Sequence, residues 1–349
     1  MHTPSVGIIG ASGYSGLEAT RILAHHPRAT LRFATSDRWV GESLGARAGI
    51  TGPAAALTYV SQKDAEEQAA LCDVVLLCTP AEVSLELAPK LLAKGVRVID
   101  LSGAFRLRDP ALYAQWYGFA HTAHDLLAEA VYGMTELFRG RVREARLVAN
   151  PGCFPTAATL PVAPLVKAGL IDPQTLIINA ASGVTGAGRK ASEDYSFCEI
   201  DGDFRAYKVL RHQHTPEIAQ TVEGLGRTAA TTLTFTPHLL PIRRGILCTT
   251  YAWFNRGATP EKVAAALKEA YGDEPFISLA QSADGVSLKQ VVGTNRCQIG
   301  FSADGGRLVI CSAIDNLVKG AAGQAVQNLN VMFDLEEGLG LSAMRAFHP

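Results

Sequence analysis

A cysteine between a turn and a helix is the residue of this chain most suited to nucleophilic chemistry. The segment 150–152, Asn-Pro-Gly, interrupts regular structure just before Cys153, and an apolar helix is expected to run from Pro155 to Gly169. A cysteine just before a helix faces backbone N–H groups and the positive end of the helix dipole, which both favour the reactive thiolate. A buried cysteine that only fills space is the alternative, and the local sequence leaves both open.

Two histidines offer proton transfer. His212 and His214 stand in the segment RHQHTPEI, ahead of a predicted helix with Thr215 as its N-cap and Pro216 in its first turn. A histidine held at such a boundary can exchange protons near neutral pH, and next to Cys153 it could hold a thiolate as an ion pair. Solvated or capping histidines are the alternative, because the sequence alone brings neither of them to the cysteine.

A glycine-rich loop at the start of the chain suggests a nucleotide site. Gly10, Gly13 and Gly16 lie in GASGYSG, between the first predicted strand and the first predicted helix. The spacing G-x-x-G-x-x-G differs from the commoner G-x-G-x-x-G, but its position after the first strand favours a pyrophosphate at the helix N-terminus. A strand–helix turn without a ligand is the alternative.

The end of the second predicted strand bears on which dinucleotide would bind. Here Asp37 favours NAD, since an acidic residue can hold the ribose 2′-hydroxyl, whereas Ser36 and Arg38 suit the 2′-phosphate of NADP. The sequence favours NADP. Thr79 and Pro80, which end the third strand, are expected along the same crevice.

Two further segments carry cations near predicted strand ends. Arg106 follows the fourth strand, at the sheet edge where ligands collect, although a solvated arginine is the simpler interpretation. The segment SGVTGAGRKA could wrap a nicotinamide or a carboxylate, with Arg189 and Lys190 adding positive charge. A flexible surface loop explains that composition equally well.

The elements that must position these residues fall into two halves. Apolar strands alternate with helices in the first half, as in SVGIIG, TLRFATS, CDVVLLCTP and VRVIDLS, which predicts a parallel sheet covered on both faces. From about residue 170 the strands are richer in Thr and aromatic residues, as in LIINAASG, ATTLTFTPHLL and ILCTTYAWFN. They predict a mixed or antiparallel sheet, and a helix is expected over NLVKGAAGQAVQNLNVMF.

Composition excludes several classes of protein. A chain of 349 residues suggests two domains, and a net charge of −1 gives no basic excess for nucleic-acid binding. Seven cysteines without C-x-x-C pairs argue against a disulfide framework or a metal site. The N-terminus lacks the form of a signal peptide, and no run of about eighteen apolar residues occurs, so a cytoplasmic protein without membrane spans is expected.

Taken together, the motifs resemble one family, the N-acetyl-γ-glutamyl-phosphate reductases of arginine biosynthesis, in the semialdehyde dehydrogenase superfamily. The matching segments span nearly the whole chain in the family's order: GASGYSGLE, DLSGAFRLRD, YGMTEL, NPGCFPTA, SGVTGAGRKA, RHQHTPEI, HLLPIRRGI, VGTN and IDNLVKGAAGQAVQNLN.

The resemblance implies an α/β fold of two domains. Residues 1–150 would form an NADP-binding Rossmann domain, completed by a C-terminal helix within 315–349. Residues 151–314 would form an α+β catalytic and oligomerisation domain with a mixed sheet, like that of glyceraldehyde-3-phosphate dehydrogenase. A homodimer or homotetramer is expected.

The resemblance also implies roles for particular residues. Cys153 would be the nucleophile and His214 the acid/base, with His212 as a supporting or rival candidate. The expected cofactor contacts are Gly10, Ser12, Gly13, Tyr14, Ser15, Gly16, Ser36, Arg38, Thr79, Pro80, Ser182, Gly183, Gly186 and Asn295. The expected substrate contacts are Arg106, Asn150, Arg189 and Glu217.

The implied reaction is the NADPH-dependent reduction of N-acetyl-γ-glutamyl phosphate, through a cysteine thioester, to the semialdehyde and phosphate. A sister reductase acting on an N-acyl-aminoadipyl phosphate or on aspartyl phosphate is an alternative, because the chemistry is the same. A non-catalytic sensor that binds NADP is a second alternative.

Overall fold

The computed structural model describes residues 2–225 and 232–346. Those parts of the sequence-based predictions that fall on residues 1, 226–231 and 347–349 lie outside the described residues. The chain forms two compact units. It passes from the first unit to the second between Gly152 and Cys153, and it returns to the first between Gly320 and Ala321. Arg345 and Ala346 group with the second unit.

The first unit is built on a parallel sheet. Its strands are β1 (Ser5–Ile9), β2 (Thr30–Ala34), β3 (Val74–Leu77), β4 (Arg97–Asp100), β5 (Val131–Tyr132) and β6 (Leu147–Ala149). They lie in the order β2-β1-β3-β4-β6-β5, and every neighbouring pair is parallel. All four residues of β3 are buried, as expected of a strand that is covered on both faces.

Helices connect these strands. They are α1 (Tyr14–Ala24), α2 (Leu44–Ala48), α3 (Ala65–Ala69), α4 (Ala81–Ala93), α5 (Leu112–Trp116), α6 (His124–Glu129) and α7 (Thr135–Glu144). The longer ones, α1 and α4, bury an apolar face and leave polar residues exposed.

The second unit is built on a mixed sheet. Its strands are β7 (Ile177–Gly183), β8 (Arg205–Ala206), β9 (Thr234–Leu240), β10 (Ile246–Trp253), β11 (Ile277–Leu279), β12 (Cys297–Asp304) and β13 (Arg307–Ile314). Their order is β11-β12-β13-β10-β7-β9-β8, with β7/β9 and β11/β12 parallel and the other pairs antiparallel. Its helices are α8 (Cys153–Lys167), α9 (Phe197–Ile200), α10 (His214–Leu225) and α11 (Pro260–Tyr271). The predicted fold class, a parallel-sheet domain followed by a mixed-sheet domain, is confirmed.

Helix α8 contains two prolines that cannot donate a backbone hydrogen bond. Pro161 and Pro164 would each leave the carbonyl four residues earlier without its helical donor. Side chains from neighbouring elements replace both donors: the Ser312 hydroxyl donates to the Ala157 carbonyl at 2.6 Å, and the Tyr271 hydroxyl to that of Leu160 at 2.7 Å. The helix that begins at Cys153 is thereby fixed to β13 and α11.

Three helix boundaries differ from the sequence-based predictions. Helix α8 begins at Cys153 itself, two residues before the predicted start. Helix α10 begins at His214, so Thr215 lies inside the helix, and its expected role as N-cap is wrong. The predicted C-terminal helix starts with a π-helical turn, Val318–Ala322, before the last helix, α12 (Gly323–Met332), which belongs to the first unit.

Among the described residues, no helix is both long enough and apolar enough to cross a membrane.

Candidate active site

Cys153 occupies the first position of α8, a helix of 15 residues. Its side chain is partly exposed, and no acidic residue stands in the first turn of the helix. The sulfur therefore meets the positive end of the helix dipole without competition from a carboxylate in that turn. By contrast, burial raises the pKa of the Cys72 thiol to about 11 and that of Cys248 to about 12, so these two remain thiols at neutral pH.

The structure brings both candidate histidines next to the residue that follows Cys153. Helix α10 packs against α8, and the Phe154 ring meets the imidazoles of His212 and His214 edge-on, with centroid separations of 5.4 and 5.9 Å. The two imidazole rings are 4.8 Å apart. The sequence motif could not establish this proximity.

The two histidines differ in what they can do. Burial, together with the nearby positive charge of Lys208, lowers the pKa of His212 to about 4. His212 is therefore neutral at pH 7 and cannot hold a thiolate as an imidazolium. Of the two histidines, His214 is therefore the remaining candidate for that role and for proton transfer near neutral pH.

Tyr207 is a neighbour of Cys153 that the sequence analysis missed. Burial raises the pKa of its phenol above the ordinary value, and negative charge on Cys153 and Tyr195 adds to the effect. Its hydroxyl therefore stays protonated and can act as a hydrogen-bond donor at neutral pH. Its position just ahead of the motif RHQHTPEI was the only available signal.

The turn that leads to Cys153 is held from inside the first unit. Arg106 donates through Nε to the Asn150 carbonyl at 2.8 Å and through Nη2 to the Leu101 carbonyl at 2.7 Å. Asn150 is 0% exposed; its Nδ2 donates to the Ala321 carbonyl at 3.1 Å, and its Oδ1 accepts from Asn328 at 3.0 Å. Asn150 thus holds the turn ahead of Cys153, and a substrate contact at this residue stays a prediction.

The first glycine loop has the shape of a phosphate cradle. Gly10 has φ +88°, and a Cβ there would lie 2.6 Å from the Cys78 carbonyl oxygen. A Cβ at Gly16 would lie 2.5 Å from the Gly10 oxygen, so the absence of a side chain lets α1 approach the loop. At Gly13, the N-cap of α1, a Cβ would make only an ordinary contact at 3.7 Å, which leaves room at the helix start. The residues present therefore fit a bound pyrophosphate.

The remaining cofactor candidates of the first unit surround this loop. Ser12 lies within it, and Tyr14 and Ser15 begin α1. A Cβ at Gly10 would also lie 3.1 Å from the methyl group of Thr79, and Pro80 is the N-cap of α4. These residues share one edge of the sheet because parallel strands end on the same side.

A buried carboxylate organises the loops of the second unit. The Oδ1 atom of Asp315 accepts from Arg244 Nη2 at 3.1 Å and from the backbone of Leu317 at 2.8 Å, and its Oδ2 accepts from the backbone of Gly293 at 2.7 Å. Asn295, two residues after Gly293 and 1% exposed, lies in the loop so held.

The other predicted residues of the second unit lie at two places. Ser182 and Gly183 end β7, and a Cβ at Gly183 would lie 2.8 Å from the backbone of the 243–244 turn; Gly186 follows in a short 3-10 turn. Arg189 is exposed in the loop beyond. Glu217 is fully buried on α10, three residues after His214 and therefore on the same helix face.

Comparison with known proteins agrees with this architecture. Residues 5–145 match the family model "Semialdehyde dehydrogenase, NAD binding domain", and residues 153–316 match "Semialdehyde dehydrogenase, dimerisation domain". Among solved structures, an aspartate semialdehyde dehydrogenase II from Vibrio cholerae has a TM-score of 0.75 at 16% identity, covering 96% of this chain and 99% of that one. The aspartate semialdehyde dehydrogenase with NADP from Candida albicans has a TM-score of 0.65 at 15% identity, with 95% and 98% covered. At such identities the likeness concerns the fold alone.

Sequence relatives are much closer. An N-acetyl-gamma-glutamyl-phosphate reductase of Symbiobacterium thermophilum is 45% identical over 343 residues, which cover 97% of each chain. That of Desulfotalea psychrophila is 43% identical over 346 residues, covering 98% of this chain and 99% of its own. At these identities over nearly the full length, and with both family models matched, the chain belongs to the N-acetyl-gamma-glutamyl-phosphate reductase family of the semialdehyde dehydrogenases.

Proposed function

We propose that this chain reduces N-acetyl-γ-glutamyl phosphate with NADPH, giving N-acetylglutamate semialdehyde and phosphate. The observation that carries the proposal is Cys153 at the start of α8 with the His214 imidazole against the adjacent Phe154. The acyl phosphate substrate is inferred from the names of the relatives, and the dinucleotide is inferred from the shape of the first glycine loop.

The first half of the reaction needs only the cysteine and its surroundings. The thiolate attacks the carbonyl carbon of the acyl phosphate, and backbone N–H groups at the start of α8 stabilise the charge that develops on oxygen. The carbon–oxygen bond to phosphate then breaks, so that phosphate leaves and a thioester remains on Cys153. Arg106 remains our candidate for a contact with the departing phosphate, in addition to its two backbone hydrogen bonds.

The second half needs a hydride and a proton. Bound NADPH supplies the hydride that reduces the thioester. His214 donates a proton to the former carbonyl oxygen, then recovers it as the carbon–sulfur bond breaks. The aldehyde leaves and the thiolate of Cys153 is restored. Tyr207 stays protonated and is electrostatically coupled to Cys153, so it is our candidate for a second hydrogen-bond donor to the same oxygen.

Three neighbouring residues favour NADP over NAD. The Oδ1 atom of Asp37 accepts the backbone N–H of Gln62 at 2.7 Å, so this carboxylate oxygen is engaged by the protein itself. Ser36 Oγ is buried and has no hydrogen-bond partner among the described residues. Arg38 is exposed and forms no ion pair with the described part of the chain. A hydroxyl without a described partner and an exposed guanidinium two residues later in the chain suit a 2′-phosphate.

A homodimer formed through the mixed sheet completes the proposal. Tyr251 and Trp253 on β10 are 38% and 45% exposed, and they line a largely apolar groove of ≈ 390 Å³ together with residues of β12 and β13. Exposed aromatic residues beside such a groove are typical of a protein interface. The match of residues 153–316 to a dimerisation domain supports a second copy as the occupant.

The test runs the reaction in both directions with purified protein. N-acetyl-γ-glutamyl phosphate should oxidise NADPH faster than the aminoadipyl or aspartyl analogue, and the semialdehyde should reduce NADP only when phosphate is present. Cys153→Ser should abolish turnover and keep NADPH binding, whereas Cys198→Ser, at an exposed cysteine outside the site, should leave both unchanged. Substantial turnover by the Cys153 variant, or a preference for another acyl phosphate, would refute the proposal.

A further inference from the structure

We infer that His212 is a positioning residue for the acid/base: its Nδ1 accepts the backbone N–H of His214 and so fixes the first residue of α10. The inference rests on the proposed function, because it assigns proton transfer to His214 and a different role to its neighbour.

The start of α10 depends on His212 for two hydrogen bonds. Its Nδ1 accepts from the His214 backbone at 3.1 Å, and its carbonyl oxygen accepts from the Thr215 backbone at 2.9 Å. The first N–H groups of a helix have no helical acceptor and require one from elsewhere, usually a Ser, Thr, Asp or Asn side chain. Here the imidazole of His212 is that acceptor. Because it fixes the backbone of His214, it also fixes the point from which the His214 side chain extends.

Aromatic rings hold the imidazole of His212 in this orientation. Phe154, Tyr207 and Phe235 meet it edge-on with centroid separations of 5.4, 5.7 and 5.6 Å, and the residue is 4% exposed. These contacts come from α8, from the segment before α10 and from β9, so three elements oppose its rotation.

Acceptance at Nδ1 requires this imidazole to be uncharged, with its proton on Nε2. The titratable groups that face it are Tyr207, Lys208 and His214; Phe154 and Phe235 bring no charge. Lys208 opposes protonation of His212, as does burial, which agrees with an uncharged acceptor.

The chain before His212 is bent in an unusual way. Lys208 and Leu210 have φ values of +43° and +59°, in the left-handed region that residues other than glycine rarely adopt. Such conformations persist only where the surrounding structure fixes them, and they concentrate near functional sites. This bend places the imidazole of His212 at the start of α10.

The test compares three substitutions of His212 that differ in whether, and at which position, the new side chain offers a hydrogen-bond acceptor. In His212→Asn the amide oxygen lies where Nδ1 was, in His212→Gln it lies where Nε2 was, and His212→Leu keeps volume without an acceptor. We expect the Asn variant to retain kcat within about threefold, since Asn is among the best helix caps. The Gln and Leu variants should lose about tenfold or more in kcat through displacement of His214, with the KM for NADPH unchanged. The pH dependence of kcat should persist in the Asn variant.

Two outcomes would overturn the inference. If His212→Asn is as inactive as His214→Asn, His212 transfers the proton itself. If the Asn, Gln and Leu variants are equally active, its role is packing alone.

Hydrogen exchange of the His214 amide provides a readout that needs no substrate. The amide should be protected in the wild type and in the Asn variant, and it should exchange at least about tenfold faster in the Leu variant. Equal exchange rates in all of them would also overturn the inference. Failure of the wild type to reduce the acyl phosphate, with this protection pattern intact, would instead count against the proposed function.

Discussion

Gly320 packs directly against Cys153. A Cβ at position 320 would lie 2.7 Å from the Cβ of Cys153 and 3.2 Å from its Cα, much closer than real Cβ atoms approach. Gly320 lies in the π-helical turn Val318–Ala322, and its N–H donates to the backbone oxygen of Asp315 at 2.9 Å. Neither partner is the flexible end of a side chain, so the absence of a side chain at 320 provides the space in which Cys153 sits. Single π-turns inside helices are frequent at functional sites.

Gly320→Ala should therefore impair the enzyme by displacing the nucleophile. We expect kcat to fall by about a hundredfold, the loss typical of a misplacement of about 1 Å. The rate of Cys153 alkylation, followed by mass spectrometry, should change with it. Gly140→Ala is the matched control: Gly140 lies within α7 with nothing near its missing Cβ, and alanine there should leave activity intact. Normal turnover by Gly320→Ala would show that the π-helical turn accommodates the methyl group without displacing Cys153.

The sequence predicted what depends on local chemistry and missed what depends on packing. The Pro-Gly turn ahead of Cys153 located the helix start to within two residues, because such residues end regular structure wherever they occur. The contact between Gly320 and Cys153 joins distant parts of the chain and has no local signature. The apolar residues of NLVKGAAGQAVQNLNVMF predict an ordinary helix, and the extra residue of the π-turn is recognisable only from the hydrogen bond of the Gly320 N–H to the Asp315 carbonyl.

The donors that replace the two missing N–H groups of α8 can be tested by a double-mutant cycle. Tyr271→Phe removes only the hydroxyl that donates to the Leu160 carbonyl, and we expect it to lower the free energy of unfolding by about 1–3 kcal/mol. Pro164→Ala restores a backbone N–H for the same carbonyl, so Tyr271→Phe should cost less in that background. Chemical denaturation measures all four proteins, with Tyr195→Phe, at an exposed tyrosine outside the proposed dimer interface, as the control. Additive effects would argue against a shared acceptor.

Arg38 should determine the preference between the two dinucleotides. Arg38→Leu is expected to raise the KM for NADPH by about tenfold or more and to leave the KM for NADH nearly unchanged, because only NADPH carries the 2′-phosphate. Initial rates at varied cofactor concentration give the KM for each cofactor. Arg256→Leu, which removes an exposed arginine from the second unit, should change neither constant. Equal changes in the KM for NADPH and the KM for NADH would mean that Arg38 does not contact the 2′-phosphate.

Trp253 should be essential for the homodimer. Trp253→Glu puts a charge on the apolar outer face of β10, where burial against a second copy would leave it unpaired. Light scattering after size exclusion should show monomers, at a concentration where the wild type is dimeric. Leu71→Glu, at a leucine that is 74% exposed in the first unit, is the control and should remain dimeric. An unchanged mass for the Trp253 variant would place the interface on another surface.

The neutral state of His212 should make the protein less stable in acid. Its pKa falls from the ordinary 6.5 to about 4 on folding, so below about pH 6.5 the unfolded chain binds a proton that the folded chain cannot. The contribution is therefore intact at higher pH and is lost as the pH falls toward 4. Between about pH 8 and about pH 5 this one group should reduce the free energy of unfolding by about 2 kcal/mol.

His212→Asn does not titrate in this range, so the gap in unfolding free energy between wild type and variant should shrink as the pH falls. The exposed residue His25, replaced by Asn, should leave the full acid sensitivity in place. Parallel stability curves for wild type and His212→Asn, measured by denaturant titration at each pH, would mean that folding does not lower the pKa of His212.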